Sequence, residues 1–346
     1  MKAAVLHGKR DLRYEEISRP EINEHEVLIR VKATGICGSD LPRVLGDASH
    51  YYPNVFGHEF AGEIVEIGRG VRSDFIKGDR VAAAPLKPCH QCESCLKGDF
   101  ALCNNYSFIG SREFGTWAEY VKVPEMNLVK LPEGVSYVQG AFLEPITVAL
   151  HGLFLMDFKP MTSVAITGMG TIGLLTLQAA KIMGAKEITV FDINEDKLAL
   201  AEELGADYLI NTRDKNFQER VNDITDGNGF EMVLETAGVP QTELLCLEIA
   251  ANKGSVMYIG TPHTAFKITP EQFEYLNRKE LTVRGSWMSY SAPFPGKEWT
   301  LGAYYLGKKK IRIEKLLDRV VPLKEIWTAF EDIDRGKIKG KVMLEV

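Results

Sequence analysis

The sequence predicts an α/β protein of two domains, the first mainly β and the second a parallel sheet built from βαβ units. Three observations carry the prediction. At 346 residues the chain exceeds what one hydrophobic core usually organises. Near residue 150 its texture changes from short strands and turns to strands alternating with helices. A glycine-rich turn sits at the first strand-to-helix junction after that change.

In the first part, Val27 to Ala33 is mostly apolar and β-branched, Gly62 to Gly68 alternates, and Lys77 to Val81 is a turn entering a strand. This portion is read as barrel-like or sandwich-like. In the second part, Ser163 to Thr167 is a strand, Thr171 to Met183 a helix stopped by Gly184, and Glu187 to Phe191 the next strand. Lys197 to Leu204 is helical up to Gly205. Met232 to Leu234, Ser255 to Ile259 and Leu281 to Val283 are further strands, with a helix from Gln241 to Ala250 between the first two. After Trp287 the pattern turns irregular around Pro293, Pro295 and Gly296, then helical from Lys324 to Ile333, and the tail is read as returning to the first domain.

Composition narrows the function. The net charge is -6 and basic residues are dispersed, with Lys308, Lys309 and Lys310 beside Glu314 and Asp318, which argues against nucleic acid as a partner. The apolar start, Met1 to Leu6, is too short for a signal peptide, and no membrane span is expected. A cytoplasmic location is therefore expected, with the six cysteines as thiols or metal ligands rather than disulfides.

Gly168-Met169-Gly170-Thr171-Ile172-Gly173 fits G-x-G-x-x-G between a buried-looking strand and a helix. Its glycines permit a tight turn and let backbone amides approach a pyrophosphate at the positive end of the helix dipole. Asp192 lies 19 residues after Gly173 (192 minus 173), at the end of the second strand, where a carboxylate can accept from ribose hydroxyls. It would repel a 2′-phosphate, and no arginine follows between Ile193 and Leu198, so NAD is expected over NADP.

Cys89, Cys92, Cys95 and Cys103 have the spacing C-x2-C-x2-C-x7-C in a loop-like segment with Pro88 and Gly98. Four thiolates on short spacers favour a closed, structural zinc site, with an iron–sulfur cluster as the rival. A looser set is Cys37, His58-Glu59 and Glu144, each beside glycine or proline. Taken singly, these read as a buried thiol, a core histidine and an acid at a helix start.

Gly35-Ile36-Cys37-Gly38-Ser39-Asp40, Gly57-His58-Glu59 with Gly62, the four-cysteine lobe and the glycine fingerprint together resemble the zinc-dependent medium-chain dehydrogenase/reductase family, over essentially the whole chain. The resemblance implies a GroES-like catalytic domain, residues 1–150 and 288–346 with the zinc lobe at 88–104, interrupted by a doubly wound Rossmann domain at 151–287. It implies two zinc ions per chain, a catalytic one in the cleft between the domains and a structural one in the lobe. Cys37 and His58 are implied ligands of the first, with Glu59 and Glu144 used together or in exchange with water. Glu144 in place of a second cysteine resembles the polyol dehydrogenase branch.

Segments around Cys37 to Arg43, His50 to Pro53, Glu235 to Thr242 and Gly285 to Met288 resemble an enzyme of that branch acting on a phosphorylated hexitol. The implied reaction is hydride transfer from a secondary alcohol of a polyol phosphate to NAD. Sorbitol, threonine and a butanediol are the alternative substrates. Ser39 is the implied first proton carrier, or else a cap on the helix beginning near Asp40. The family's next relay histidine is replaced by Pro42, which leaves His50, ribose hydroxyls or water to end the relay. Arg43 and Arg112 are candidates for binding a substrate phosphate, because a buried dianion needs cationic partners. Trp117 and Trp287 are candidates for the pocket wall or for core packing. A homodimer or homotetramer is expected by analogy, paired near Leu281 to Val283.

Overall fold

Strand Glu26–Gly35 is buried at eight of its ten residues, Arg30 and Lys32 being the exceptions, as befits the centre of a sheet. The computed structural model describes all residues, Met1–Val346, and divides into two compact units, Met1–Thr147 with Tyr290–Val346, and Val148–Ser289.

In the first unit, Glu26–Gly35 pairs antiparallel with Phe60–Ile67 along one side. On its other side Tyr120–Pro124 pairs with its first half and Lys341–Glu345 with its second. Arg80–Ala83, Leu128–Lys130 and Leu317–Pro322 complete a seven-stranded sheet. The C-terminal strand thus lies beside Gly35, which decides where Lys341 goes. One core fills the sheet interior with Val27, Ile29, Phe60, Ile64, Val81 and Val121. A second gathers Phe56, Trp117 and Phe330, with Trp117 and Phe330 edge to face at 5.4 Å.

The second unit is a six-stranded, all-parallel sheet in the order Tyr208–Asn211, Glu187–Asp192, Ser163–Thr167, Phe230–Glu235, Ala250–Tyr258, Thr282–Gly285. In chain order this is 3-2-1-4-5-6, the doubly wound dinucleotide-binding arrangement. Helices Thr171–Ile182, Glu195–Glu203 and Pro240–Ile249 follow the expected strands.

Several elements differ from the sequence-based expectation. The segment after Trp287, read as irregular, contains a helix at Lys297–Gly307 that buries Trp299, Ala303 and Leu306. Helices Phe217–Thr225 and Pro270–Arg278 were not anticipated. The first lays Phe217, Val221 and Ile224, spaced i, i+4 and i+7, against the core of this unit, and the second adds Tyr275 and Leu276. The one helical stretch long and apolar enough to cross a membrane, Tyr137–Leu155, is mostly buried inside the protein and includes Glu144.

Candidate active site

Two short segments of the first unit bring Cys37, His58 and Glu59 together, with their donor atoms all within 4.8 Å of one another. Cys37 precedes a single turn at Gly38–Asp40, where its backbone N–H donates to Asp40 Oδ2 at 3.0 Å. His58 follows Gly57, whose φ of +92° and contact with Trp117 leave no room for a side chain. Glu59 is aligned through its backbone, because Gly35 N–H donates to Glu59 O at 2.7 Å. A Cβ on Gly35 would overlap the Glu59 carboxylate.

His58 and Glu59 are 5% and 2% exposed, whereas Cys37 and Glu144 keep part of their surface accessible. The donor set is therefore closed behind and open in front. Glu144 lies in the first turn of helix Leu143–Leu155 and is outside the tight trio, but close enough for their charges to act on it. Burial pushes its carboxyl up to about 8, with His58 opposing and Glu59 and Cys37 adding. Burial and the charge of Glu59 likewise push the Cys37 thiol up to about 11. Such crowding of acidic groups is what a bound cation would relieve.

Behind the trio stand two charged groups that sequence inspection left without a role. Asp40 is fully buried, with Oδ1 3.9 Å from His58 Nδ1 and 3.4 Å from Arg43 Nη1. That carboxylate faces one ring nitrogen without hydrogen-bonding it and leaves Nε2, on the other side of the ring, for an ion. His58 Nδ1 itself is buried without a hydrogen-bond partner. Lys341, 6% exposed, places Nζ 2.5 Å from both oxygens of Glu59. Burial alone would lower its pKa, but Glu59 and then Cys37 outweigh it and hold the ammonium charged. A cysteine sulfur, an imidazole and a carboxylate whose donor atoms lie within 4.8 Å of one another fit a divalent ion such as zinc.

Ser39 does not cap the following turn. Its Oγ donates to Cys37 Sγ at 3.3 Å and accepts from Arg43 Nη1 at 3.2 Å. Arg112 lies over the Tyr106 ring at 4.4 Å and donates to Tyr106 Oη at 3.2 Å. Burial lowers the pKa of His50, and the charges of Arg112 and Arg43 lower it further, so these three basic groups share one neighbourhood. Trp117 is wholly buried core, and Trp287 is exposed.

The four lobe cysteines also converge, with Cys89 Sγ 4.0 Å from Cys95 Sγ and Cys92 Sγ 3.9 Å from Cys103 Sγ. Tetrahedral ligands about 2.3 Å from one zinc ion sit about 3.8 Å apart, so the lobe has the size for a single ion. An iron–sulfur cluster spreads its thiolates around several metal atoms and needs a wider cage. Backbone N–H groups aimed at sulfur, chiefly those of Cys95 and Asn104, bring the Cys92 thiol down to about 6, while burial pushes Cys95 up to about 12.

In the second unit, Gly168, Gly170 and Gly173 serve different purposes. Gly168, at φ +88°, packs against Ala237, and a Cβ on Gly173 would overlap Gly168 O. A Cβ on Gly170 would meet nothing within 4 Å, so no protein packing demands glycine there. That gap opens at the N-terminus of helix Thr171–Ile182, which has no side-chain cap and begins with Thr171 and Ile172. Open space beside uncapped amides fits a dinucleotide pyrophosphate. Asp192 accepts from Met169 N–H at 2.6 Å, Ile193 N–H at 2.8 Å and Asn194 N–H at 3.0 Å. The first of these ties the glycine turn to the second strand, and the other two order the loop that follows it. A carboxylate has about four acceptor sites, so roughly one remains for a ribose hydroxyl.

Comparison with known proteins agrees with this geometry. Residues 23–133 match the family described as alcohol dehydrogenase GroES-like domain, and residues 171–301 match zinc-binding dehydrogenase. The chain is 41% identical to galactitol 1-phosphate 5-dehydrogenase of Escherichia coli (strain K12), over 99% of both chains. It is 36% identical to sorbitol dehydrogenase of Bacillus subtilis (strain 168), over 76% of this chain and 75% of the other. The crystal structure of galactitol-1-phosphate dehydrogenase from Escherichia coli superposes with a TM-score of 0.96 at 41% identity, covering 100% of both chains. With both domains matched and its metal-binding donors in place, the chain belongs to the zinc-dependent medium-chain dehydrogenase/reductase family.

Proposed function

We propose that the chain is an NAD-dependent dehydrogenase holding two zinc ions, which oxidises a secondary hydroxyl of a polyol phosphate in the cytoplasm. Galactitol 1-phosphate, giving tagatose 6-phosphate, is the first candidate substrate. The observation that carries this reading is the open donor set of Cys37, His58 and Glu59 with Glu144 at its edge, in a chain 41% identical to a galactitol 1-phosphate 5-dehydrogenase along its whole length. The similarity to a sorbitol dehydrogenase supports a free polyol as the alternative.

Residues 1–150 and 288–346 are assigned to catalysis and 151–287 to NAD. A zinc ion bound at the first site would supply Lewis-acid stabilisation of a deprotonated alcohol, and bound NAD would supply the hydride acceptor. Cys37 and His58 would hold the ion, with the carboxylates of Glu59 and Glu144 completing or vacating its coordination. Lys341 holds Glu59 back by neutralising it. Asp40 faces His58 Nδ1 from behind at 3.9 Å. Ser39 Oγ, beside Cys37 Sγ, is placed to accept the hydroxyl proton, and His50, ribose hydroxyls or water would carry it onward. Gly170 leaves room for the pyrophosphate, and the last acceptor site of Asp192 favours a ribose hydroxyl over a 2′-phosphate. Cys89, Cys92, Cys95 and Cys103 would close around the second, structural zinc. A homodimer or homotetramer is the expected assembly.

The test is a panel of polyols and polyol phosphates with NAD and with NADP, followed by NADH or NADPH absorbance. Selective oxidation of galactitol 1-phosphate with NAD is expected. Preference for a free polyol, or no reaction with any phosphorylated one, would reject the assignment.

A further inference from the structure

Ser39 Oγ is hydrogen-bonded to the cysteine sulfur of the candidate active site, and its hydrogen bonds are partly committed. It donates to Cys37 Sγ at 3.3 Å and accepts from Arg43 Nη1 at 3.2 Å. A serine hydroxyl has one proton and two acceptor lone pairs, so Arg43 occupies half of its accepting capacity. The same Nη1 lies 3.4 Å from Oδ1 of buried Asp40, whose other neighbour is His58 Nδ1 at 3.9 Å. One guanidinium nitrogen therefore touches both the hydroxyl beside Cys37 and the carboxylate behind His58.

Arg43 is not locked in this position. Its side chain is 21% exposed and rests against the Phe56 ring at 5.9 Å, open to an incoming ligand. Around it the positive charge is poorly balanced. Arg112 is held by Tyr106 and makes no ion pair, and His50 lies within the field of both arginines. Asp40 is the only acid paired with Arg43, in a protein whose net charge is -6.

We propose that Arg43 reads the substrate's phosphate and, in turning to it, releases Ser39 to meet the reacting hydroxyl. This rests on the polyol-phosphate reading above and adds a means by which the phosphate sets the rate. A phosphate dianion is a stronger partner for a guanidinium than the neutral oxygen of a serine. Once Arg43 turns, the lone pair on Ser39 is free and Asp40 is left to His58 alone. A free polyol leaves Arg43 where it is. Phosphate recognition then contributes to the transition state rather than only to binding.

The experiment supplies the substrate in two pieces, free galactitol with NAD, and inorganic phosphite dianion. Wild-type enzyme is expected to oxidise galactitol faster as phosphite rises, with saturation, and Arg43→Gln to show no such activation. Calorimetry of phosphite binding should show weaker binding to Arg43→Gln. The ratio of kcat/KM for galactitol 1-phosphate over galactitol should fall by about 10- to 100-fold in that variant, the size of one charge-assisted hydrogen bond. If galactitol 1-phosphate is oxidised but phosphite gives no activation, or activates Arg43→Gln equally, this proposal alone is overturned. If wild-type enzyme oxidises no polyol phosphate, the activity assignment falls and this proposal with it.

Discussion

Replacing Lys341 by methionine removes the only cation touching Glu59 while keeping most of the packed side-chain volume. Both partners are nearly inaccessible, with Nζ 2.5 Å from each carboxylate oxygen. Removing one member of a buried ion pair leaves an uncompensated charge and costs about 3–5 kcal/mol. In a unit of this size each kcal/mol moves the unfolding midpoint by about 2–4 °C, so zinc-free Lys341→Met should melt on the order of 10 °C lower. Zinc changes the outcome, because Glu59 belongs to the donor set and a divalent ion restores its missing counter-charge. The deficit should shrink to less than half in zinc-loaded protein. Differential scanning calorimetry of wild type and variant, each with and without zinc, reads both quantities. Adding Glu59→Gln to the zinc-free variant should recover much of the loss. An equal deficit with and without zinc would show that Lys341 serves packing alone, and the account of Glu59 as a restrained metal ligand would be wrong.

Two further outcomes follow from the same geometry. At pH 7 Cys37, pushed up to about 11, and Glu144, pushed up to about 8, both retain protons in the metal-free protein, so zinc entering this site should release about two. Calorimetry in buffers of different ionisation enthalpy, with the cysteine lobe already filled, counts them, and a buffer-independent heat contradicts the prediction. The sign for stability is also fixed. Folded Glu144 keeps its proton to about 8 against an ordinary value of 4.5, so the folded state binds more protons between those values and metal-free protein loses stability as pH rises through that window. In the second unit, Gly170→Ala should leave the melting temperature within about 1 °C yet weaken NAD binding by tenfold or more, because its added Cβ meets only ligand space. Gly173→Ala should destabilise the fold itself through overlap with Gly168 O. Fluorescence titration with NADH and a melting curve separate the two, and equal behaviour of both alanines would remove the argument for ligand space at Gly170.

Much of the site is legible in the chain because its parts are local. Cys37, the His58-Glu59 pair and the four lobe cysteines each sit in short motifs, and the glycine turn is flanked by its own strand and helix. What sequence inspection missed depends on distant pairing. Lys341 is 282 residues from Glu59, and only the antiparallel match of Met343 with Gly35 brings them together. Asp40 stands inside a motif, but nothing local says that its carboxylate faces His58. Asp192 was expected at a ribose, and nothing local says that it also accepts from Met169 N–H of the glycine turn and from the N–H groups of Ile193 and Asn194. Helix Pro270–Arg278 was missed although it carries a readable start, Thr269 and Gln272 as a capping box with Pro270 in the first turn. Helix Lys297–Gly307 was obscured by the prolines and Gly296 just before it.

The central claim is that Cys37, His58 and the neighbouring carboxylates hold a metal with room for the reacting alcohol. Cobalt substituted at this site, with zinc left in the cysteine lobe, reports its coordination directly through its visible absorption. Addition of galactitol 1-phosphate should change the intensity and position of those bands in step with binding. A spectrum that stays fixed while calorimetry shows the substrate bound would contradict the account.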